Sequence, residues 1–256
     1  MNNRRPETRY PALDRLSDAE RVLMVKEIFT TVTGAYDFLN RLLSLRRDVA
    51  WRRRAALEMR FFRTNRLLDL ATGTCDLAVE AARKHPGIRI TGVDLVSEMI
   101  ALGRAKIRRQ GLHRRIHLLK GDAVNLPFAD DQFDAAAVAF GIRNMPDRIK
   151  ALKEMVRVTV PEGRILVLEM ALPRSKALRM AYRLYLNAFL PRLARLFSPN
   201  PEAYYYLADS IMNFPEPGAF TELMVRAGLE QVKVHPLTFG ITYLHVGRKP
   251  AALTKN

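Results

Sequence analysis

Between residues 66 and 171 the chain repeats one pattern: a short apolar run that stops at a turn, then a stretch with helical spacing. RLLDLAT (66–72), RITGVDL (89–95), RRIHLLKGDA (114–123), AAAVAF (135–140) and GRILVLEMA (163–171) read as buried strands. Residues 76–85, 97–111 and 147–159 read as helices between them. This alternation predicts a parallel sheet with helices on both faces. Ligands bind such sheets beyond the C-terminal ends of the strands. Those ends carry residues 69–76, Asp94, Asp122 with Ala123, residues 140–144, and Glu169, which the topology would gather along one crevice.

The flanks read differently. Residues 17–59 are mostly helical in pattern. Residues 174–197 are apolar, helical in period and interrupted at Pro191; between Met170 and Pro201 there are six Arg or Lys and no acid. Helical spacing returns at 216–228, and 229–248 reads as two closing strands, LEQVKVHPL and GITYLHVGRK. Residues 1–16 and 251–256 are expected to be tails around a single domain, 17–250.

The 48% hydrophobic content argues against disorder outside the ends. With Cys75 as the one cysteine, a disulfide framework and a multi-cysteine metal site are both excluded, and no metal is expected. No run of about 18 apolar residues is present, so no transmembrane helix is expected. MNNRRPETRYPAL lacks the apolar core of a signal sequence. The net charge of +16 points to an anionic partner: nucleic acid, an anionic membrane surface or an acidic substrate.

LLDLATGTCDLA (67–78) is the first candidate binding loop. Gly73 permits a tight turn, and Thr74 and Asp76 offer polar groups at a helix start. Because the loop carries Asp69 and Asp76, it disfavours a pyrophosphate and suits a cationic or zwitterionic ligand. A plain strand-to-helix turn capped by Asp76 is the alternative. Asp94, some 20 residues on, is placed to accept hydrogen bonds from ribose hydroxyls. Asp122 ends the third strand, where a carboxylate can receive an adenine amino group.

Acid-rich strand ends around a single-glycine turn resemble the class I S-adenosylmethionine-dependent methyltransferases. LLDLATGTCD is similar to their first motif, and GVD and GDAVNLPFADDQFD to the second and third. Four longer segments narrow the resemblance to the ubiquinone/menaquinone biosynthesis C-methyltransferase family: FTTVTGAYDFLNRLLSLRRDVAWRR (29–53), FGIRNMPDRIKALKEMVRV (140–158), YYYLADSIMNFP (204–215) and GITYLHVGRK (240–249). The sequence departs from the family pattern at Cys75, where a second glycine is usual and a side chain would crowd the cofactor. It departs also at Ala139, often serine, and at PEGR (161–164), more usually PGGR.

The resemblance implies a Rossmann-like, mostly parallel seven-stranded sheet, an N-terminal helical lid (17–60) and a helical insertion after the fifth strand (174–215). It implies S-adenosylmethionine as cofactor, with Asp69, Gly73, Thr74, Asp94, Asp122, Ala123 and Ala139 around it. The reaction implied is C-methylation of a polyprenyl quinol, either demethylmenaquinol or a ubiquinone precursor. Arg143, Asn144, Tyr36 and His245 are the candidate catalytic residues, with Asp37 and Asn40 beside Tyr36 in the lid. Packing in a strand is the alternative for His245. Tyr204, Tyr205 and Tyr206 are expected to line the substrate channel.

A polyprenyl substrate lives in the bilayer, so the basic, apolar 174–197 segment is expected to lie at the interface. The Arg-rich stretches 46–54 and 104–115 are expected to add to that face, although the second also reads as a solvated helix end. A cytoplasmic protein, peripheral at the inner face of a bacterial plasma membrane, follows from this reading. A homodimer or a complex of quinone-biosynthesis enzymes is a further expectation. Competing readings are an RNA or other small-molecule methyltransferase, and a family member that binds a quinone without turnover. Arginine clusters without interleaved stacking aromatics argue against nucleic acid.

Overall fold

Seven strands form one sheet in the order β3-β2-β1-β4-β5-β7-β6. The computed structural model describes residues 16–32, 41, 44–197, 200 and 203–252. In chain order the elements are α1 (Asp18–Val32), α2 (Arg47–Glu58), β1 (Arg66–Leu70), α3 (Asp76–Lys84), β2 (Arg89–Asp94), α4 (Ser97–Arg109), β3 (Ile116–Lys120) and β4 (Phe133–Ala139). They continue with α5 (Arg148–Val158), β5 (Thr159–Met170), α6 (Lys176–Leu184), α7 (Leu190–Phe197), α8 (Ala203–Met212), α9 (Pro217–Arg226), β6 (Glu230–Leu237) and β7 (Thr242–Arg248). Strands β1 to β5 pair in parallel, whereas β7 runs antiparallel between β5 and β6.

The parallel strands are apolar on both sides because helices cover both sheet faces. On one face Leu67, Ile90, Ile116, Ala135 and Leu166 pack against Trp51 and Ala55 of α2 and Leu77 and Ala81 of α3. On the other, Leu68, Leu70, Val138 and Ile165 pack against Leu152 and Met155 of α5 and Phe220 and Met224 of α9. A third cluster sits apart from both. It joins Met24 and Ile28 of α1 to Leu186, Leu190, Tyr204 and Ile211 of the insertion.

Two local differences from the sequence expectation have clear causes. Strand β5 starts at Thr159 and runs through Pro161, with a register shift opposite β4 between Phe133 and Ala135. Glu162 sits there at φ 66°, the left-handed region that glycine adopts without cost. The PEGR departure thus costs local strain at the opposite end of β5 from the crevice. The insertion is not broken at Pro191. Residues Tyr185–Phe189 widen into a π-turn, and the Leu190 N–H donates to the Tyr185 carbonyl. Proline lacks an N–H and crowds the preceding turn, and the wider turn accommodates it. No helix among the described residues is long and apolar enough to cross a membrane.

Candidate functional site

Strand order reverses between β1 and β4, and the loops that leave these two strands border a cavity of about 690 Å³. Gly141 lets the loops approach, since a Cβ there would stand 2.6 Å from the Cβ of Ala71. Gly73, Asp94, Asp122, Ala123, Ala139 and Asn144 line the cavity, and Val22 and Phe29 of α1 close it from above. Among the described residues its charged lining is Asp18, Asp94, Asp122, Asp147 and Lys150. Four carboxylates against one ammonium favour a cationic ligand over a phosphate.

The 71–75 loop is held open toward this cavity. Ala71, Gly73 and Cys75 all have positive φ, and a Cβ at Gly73 would meet nothing within 4 Å. The Gly73 N–H donates to Asp94 Oδ2 at 2.8 Å, and the Val96 N–H donates to Asp94 Oδ1 at 2.9 Å. Burial raises the Asp94 carboxyl above the ordinary range, and the two backbone donors oppose it. Each Asp94 oxygen keeps a lone pair for a ligand donor. This open loop, with an anchored carboxylate beside it, fits a nucleoside whose hydroxyls donate and whose other end carries positive charge.

Two predicted cofactor residues lie behind the loop instead of in it. Asp69 is buried and accepts from Thr72 Oγ1 at 2.6 Å; burial pushes its carboxyl up to about 7. Thr74 is buried too, and Lys106 Nζ donates to its Oγ1 at 2.9 Å and to Asp76 Oδ1 at 2.7 Å. Burial pushes the Asp76 carboxyl up, but Arg52 and Lys106 together overcome this and hold it below the ordinary range. Both Asp69 and Thr74 brace the loop and neither lines the cavity.

The cysteine does not crowd the cavity. A Cβ on Gly103 of α4 would stand 2.5 Å from Cys75 Sγ, so the sulfur occupies the space this glycine leaves open. Burial pushes the thiol up to about 12, which leaves it neutral and inert.

The 140–144 turn is the wall between this cavity and a second one of about 500 Å³, lined by α2, the insertion and the 238–241 turn. Phe140 borders both cavities, Asn144 the first and Arg143 the second. Phe140, at φ 59°, is fixed by the Arg52 guanidinium 5.1 Å from its ring centroid and by Trp51 at 6.0 Å. Arg143 Nη1 donates to the buried Glu169 at 2.5 Å, and Tyr206 Oη donates to Asn144 Oδ1 at 2.9 Å. From the lid, Arg21 Nη2 donates to the Arg143 carbonyl at 2.8 Å. Most of the second cavity is apolar or aromatic, with Tyr182, Tyr185, Leu186 and Leu190 prominent. Asp48 is the one carboxylate in its described lining, and it accepts from Arg52 Nη1 at 2.5 Å and Ser44 Oγ at 2.8 Å.

His245 lines neither cavity, which corrects its catalytic assignment. It pairs with Val167 in mid-sheet, stacks edge-on to Phe220 and bonds the Pro217 carbonyl at 3.2 Å; burial lowers it to about 4. Tyr36, Asp37 and Asn40 lie outside the described residues. Of the three tyrosines at 204–206, none lines the second cavity, and Tyr206 acts through Asn144. Arg115 bonds the carbonyls of Ala82 and His85, so that part of the 104–115 stretch ties the sheet edge together. Asp48, Glu169, Arg21, Tyr182 and Tyr185 had no assigned role in the sequence. Asp48 had one local signal, as the lone acid among the arginines of 46–54. Among the described residues no group of three or more His, Cys, Asp or Glu is placed to hold a metal ion.

The profile of the ubiE/COQ5 methyltransferase family matches residues 15–249. The demethylmenaquinone methyltransferase of Thermus thermophilus is 44% identical, over 87% of this chain and 100% of that protein. The ubiquinone/menaquinone biosynthesis C-methyltransferase of Geotalea daltonii is 41% identical, over 88% of this chain and 96% of its own. In fold, the chain is similar to a SAM-dependent methyltransferase of Thermotoga maritima. The TM-score is 0.61 at 22% identity, over 87% of this chain and 98% of the other.

Proposed function

Because the chain belongs to the ubiE/COQ5 methyltransferase family, we propose that it methylates a ring carbon of a polyprenyl quinol, with demethylmenaquinol as the first candidate. S-adenosylmethionine is the methyl donor, and when bound it supplies an electrophilic methyl on a sulfonium. The observation that carries the reading is the pair of cavities with one shared wall: an acid-lined one for a cationic nucleoside and an apolar, aromatic one for a ring.

In this reading the first cavity holds the cofactor. Asp94 and Asp122 accept from its hydroxyl and amino groups, and the loop at Gly73 faces its amino-acid end. The second cavity holds the quinol ring beside Phe140. A ring carbon becomes nucleophilic as the neighbouring hydroxyl loses its proton, and a phenol with a pKa of about 10 needs help at neutral pH. Arg143, on the cavity wall, supplies positive charge to the developing oxyanion. An arginine does not accept a proton, so its contribution is electrostatic. Asp48 is the lining carboxylate and accepts the hydrogen bond that orients the ring hydroxyl. Burial pushes the phenols of Tyr182, Tyr185 and Tyr206 up, so they stay protonated and serve as donors, not bases. The helix α1 covers the first cavity and keeps water from the reacting atoms.

A mostly apolar and aromatic cavity suits a quinol ring better than a nucleic-acid strand, which is tracked along an extended basic groove with stacking aromatics. The long tail of such a substrate suits a reaction at a membrane surface, and among the described residues no helix is long and apolar enough to span one.

The test is methyl transfer from S-adenosylmethionine to demethylmenaquinol in detergent, preceded by calorimetry with the cofactor alone. Micromolar cofactor binding followed by C-methylated product is expected. Tight cofactor binding with no methylation of either naphthoquinol or benzoquinol would sink the substrate assignment.

A further inference from the structure

The three most exposed large hydrophobic side chains among the described residues are Phe239 (85%), Leu45 (82%) and Met180 (73%). They come from three separate parts of the chain, and all three parts border the second cavity. Leu45 lines it, Thr238 and Ile241 line it on either side of Phe239, and Tyr182 lines it from the same helix as Met180. Trp51 Nε1 donates to Thr238 Oγ1 at 2.8 Å, which ties the Phe239 turn to α2 just beyond Leu45.

The backbone adds a second observation. Leu45 has φ 49° and Phe239 φ 57°, left-handed positions where a bulky side chain is strained and glycine is not. Strain at these positions gains no core packing, since both side chains are more than four-fifths exposed, Leu45 at the edge of the cavity. Strained residues that persist for no packing reason mark functional sites. Helix α6 fits the same surface. It buries none of its residues, and it carries Met180 and Leu184 one turn apart on the outside while Tyr182 faces the cavity.

The charge around this rim is mainly positive, although the exposed Glu216 pairs with Arg179 and the buried Asp48 with Arg52. Arg46 and Arg47 follow Leu45, and Lys176, Arg179 and Arg183 share α6 with Met180. No acid occurs from residue 171 to residue 200. Exposed apolar side chains set among cations complement an anionic bilayer, where the side chains enter the acyl boundary and the cations meet the headgroups.

We propose that Phe239, Leu45, Met180 and Leu184 form a rim that inserts into an anionic membrane and opens the second cavity directly to the acyl region. This deepens the quinol reading and rests on it for the substrate alone. The polyprenyl tail then stays in the bilayer while the ring moves into the cavity. The π-turn after α6 widens the helix where it passes from the rim to the cavity wall, at Tyr185 and Leu186.

The test is flotation of the full chain with vesicles of phosphatidylglycerol mixed with phosphatidylcholine, and with phosphatidylcholine alone, without quinol. Wild type is expected to float with the anionic vesicles and weakly with the neutral ones. Phe239→Ser and Met180→Ser each lower the partition coefficient about tenfold, as loss of one inserted side chain predicts. Both sites are exposed, so thermal unfolding and turnover of a tail-less soluble quinol stay at the wild-type level. Phe239→Gly relieves the strain, so it raises the unfolding midpoint while lowering flotation. Equal flotation of the Phe239→Ser, Met180→Ser double variant and wild type overturns the proposal. So does a concentration-dependent dimer that the double variant abolishes, which would make the rim a contact between copies of the chain. Failure of the substrate reading looks different: the protein floats as expected and methylates no quinol.

Discussion

The two cavities meet at Phe140 and are built on opposite principles. The first is made of backbone: loop amides, strand ends and aspartates fixed by those amides, as in the Asp94 bonds to Gly73 and Val96. The second is made of side chains from helices far apart in sequence, with Arg143, Asp48 and Tyr182 contributed by three different elements. A backbone site is pre-organised by the sheet and tolerates changes behind it. A side-chain site depends on buried ion pairs, and its cost of disruption is larger.

The largest effect is expected at the shared wall. Arg143→Ala should lower turnover about 100- to 1,000-fold, as loss of one oxyanion-stabilising group does. It should leave the cofactor dissociation constant unchanged. It also strands the buried Glu169 carboxylate, at about 3–5 kcal/mol of stability. Arg143→Ala with Glu169→Gln should regain stability and not turnover; recovery of both in kinetic and unfolding assays would reduce Arg143 to a structural residue.

Next come the groups behind and beside the first cavity's loop. Asp69 is raised to about 7 in the fold and returns to the ordinary carboxylate range on unfolding. The folded protein therefore binds the extra proton between those values. The Asp69 contribution is complete below the unfolded value and is lost as pH rises toward 7, about 4 kcal/mol in all. Asp69→Asn should remove that slope from a plot of stability against pH, and an unchanged slope would mean that Asp69 is charged. Asp94→Ala should weaken cofactor binding about 100-fold by calorimetry, with two loop amides and a ligand donor losing their acceptor. Binding of a quinone analogue should not change, and a matching loss there would mean the cavities are not separate. The smallest effects belong to α4. Gly103→Ala should cost about 1–3 kcal/mol from its clash with Cys75 Sγ. Cys75→Gly added to it should restore stability. Cys75→Gly alone should change stability by less than about 1 kcal/mol, because relief of the left-handed backbone offsets the lost sulfur packing.

Sequence made the first cavity readable because its residues follow strand ends in order. Gly73, Asp94, Asp122, Ala123 and Ala139 all line it. A place at a strand end or in its loop does not put a side chain in the cavity: Asp69 is held by Thr72, and Thr74 by Lys106, behind the loop. His245 failed for a different reason. Strand β7 is antiparallel, so its residue at the crevice edge is Thr242, opposite Met170, while His245 lies three residues inward. The second cavity was largely hidden. Arg143 stood at a strand end among residues 140–144 but owed its catalytic candidacy to the family resemblance, and Asp48 gave no sign that it would line a cavity with Arg143. The third hydrophobic cluster likewise joins α1 to segments more than 150 residues away, which local periodicity does not encode.

That cluster bears on the order of events in a catalytic cycle. The helix that covers the first cavity, α1, is packed through Met24 and Ile28 onto the same Leu186 and Leu190 that wall the second cavity. In the proposed reading, lifting α1 to exchange spent cofactor would loosen the quinol pocket as well. The two products would then leave together, and a pre-steady-state burst of methylated quinol ahead of slow turnover is the expected result.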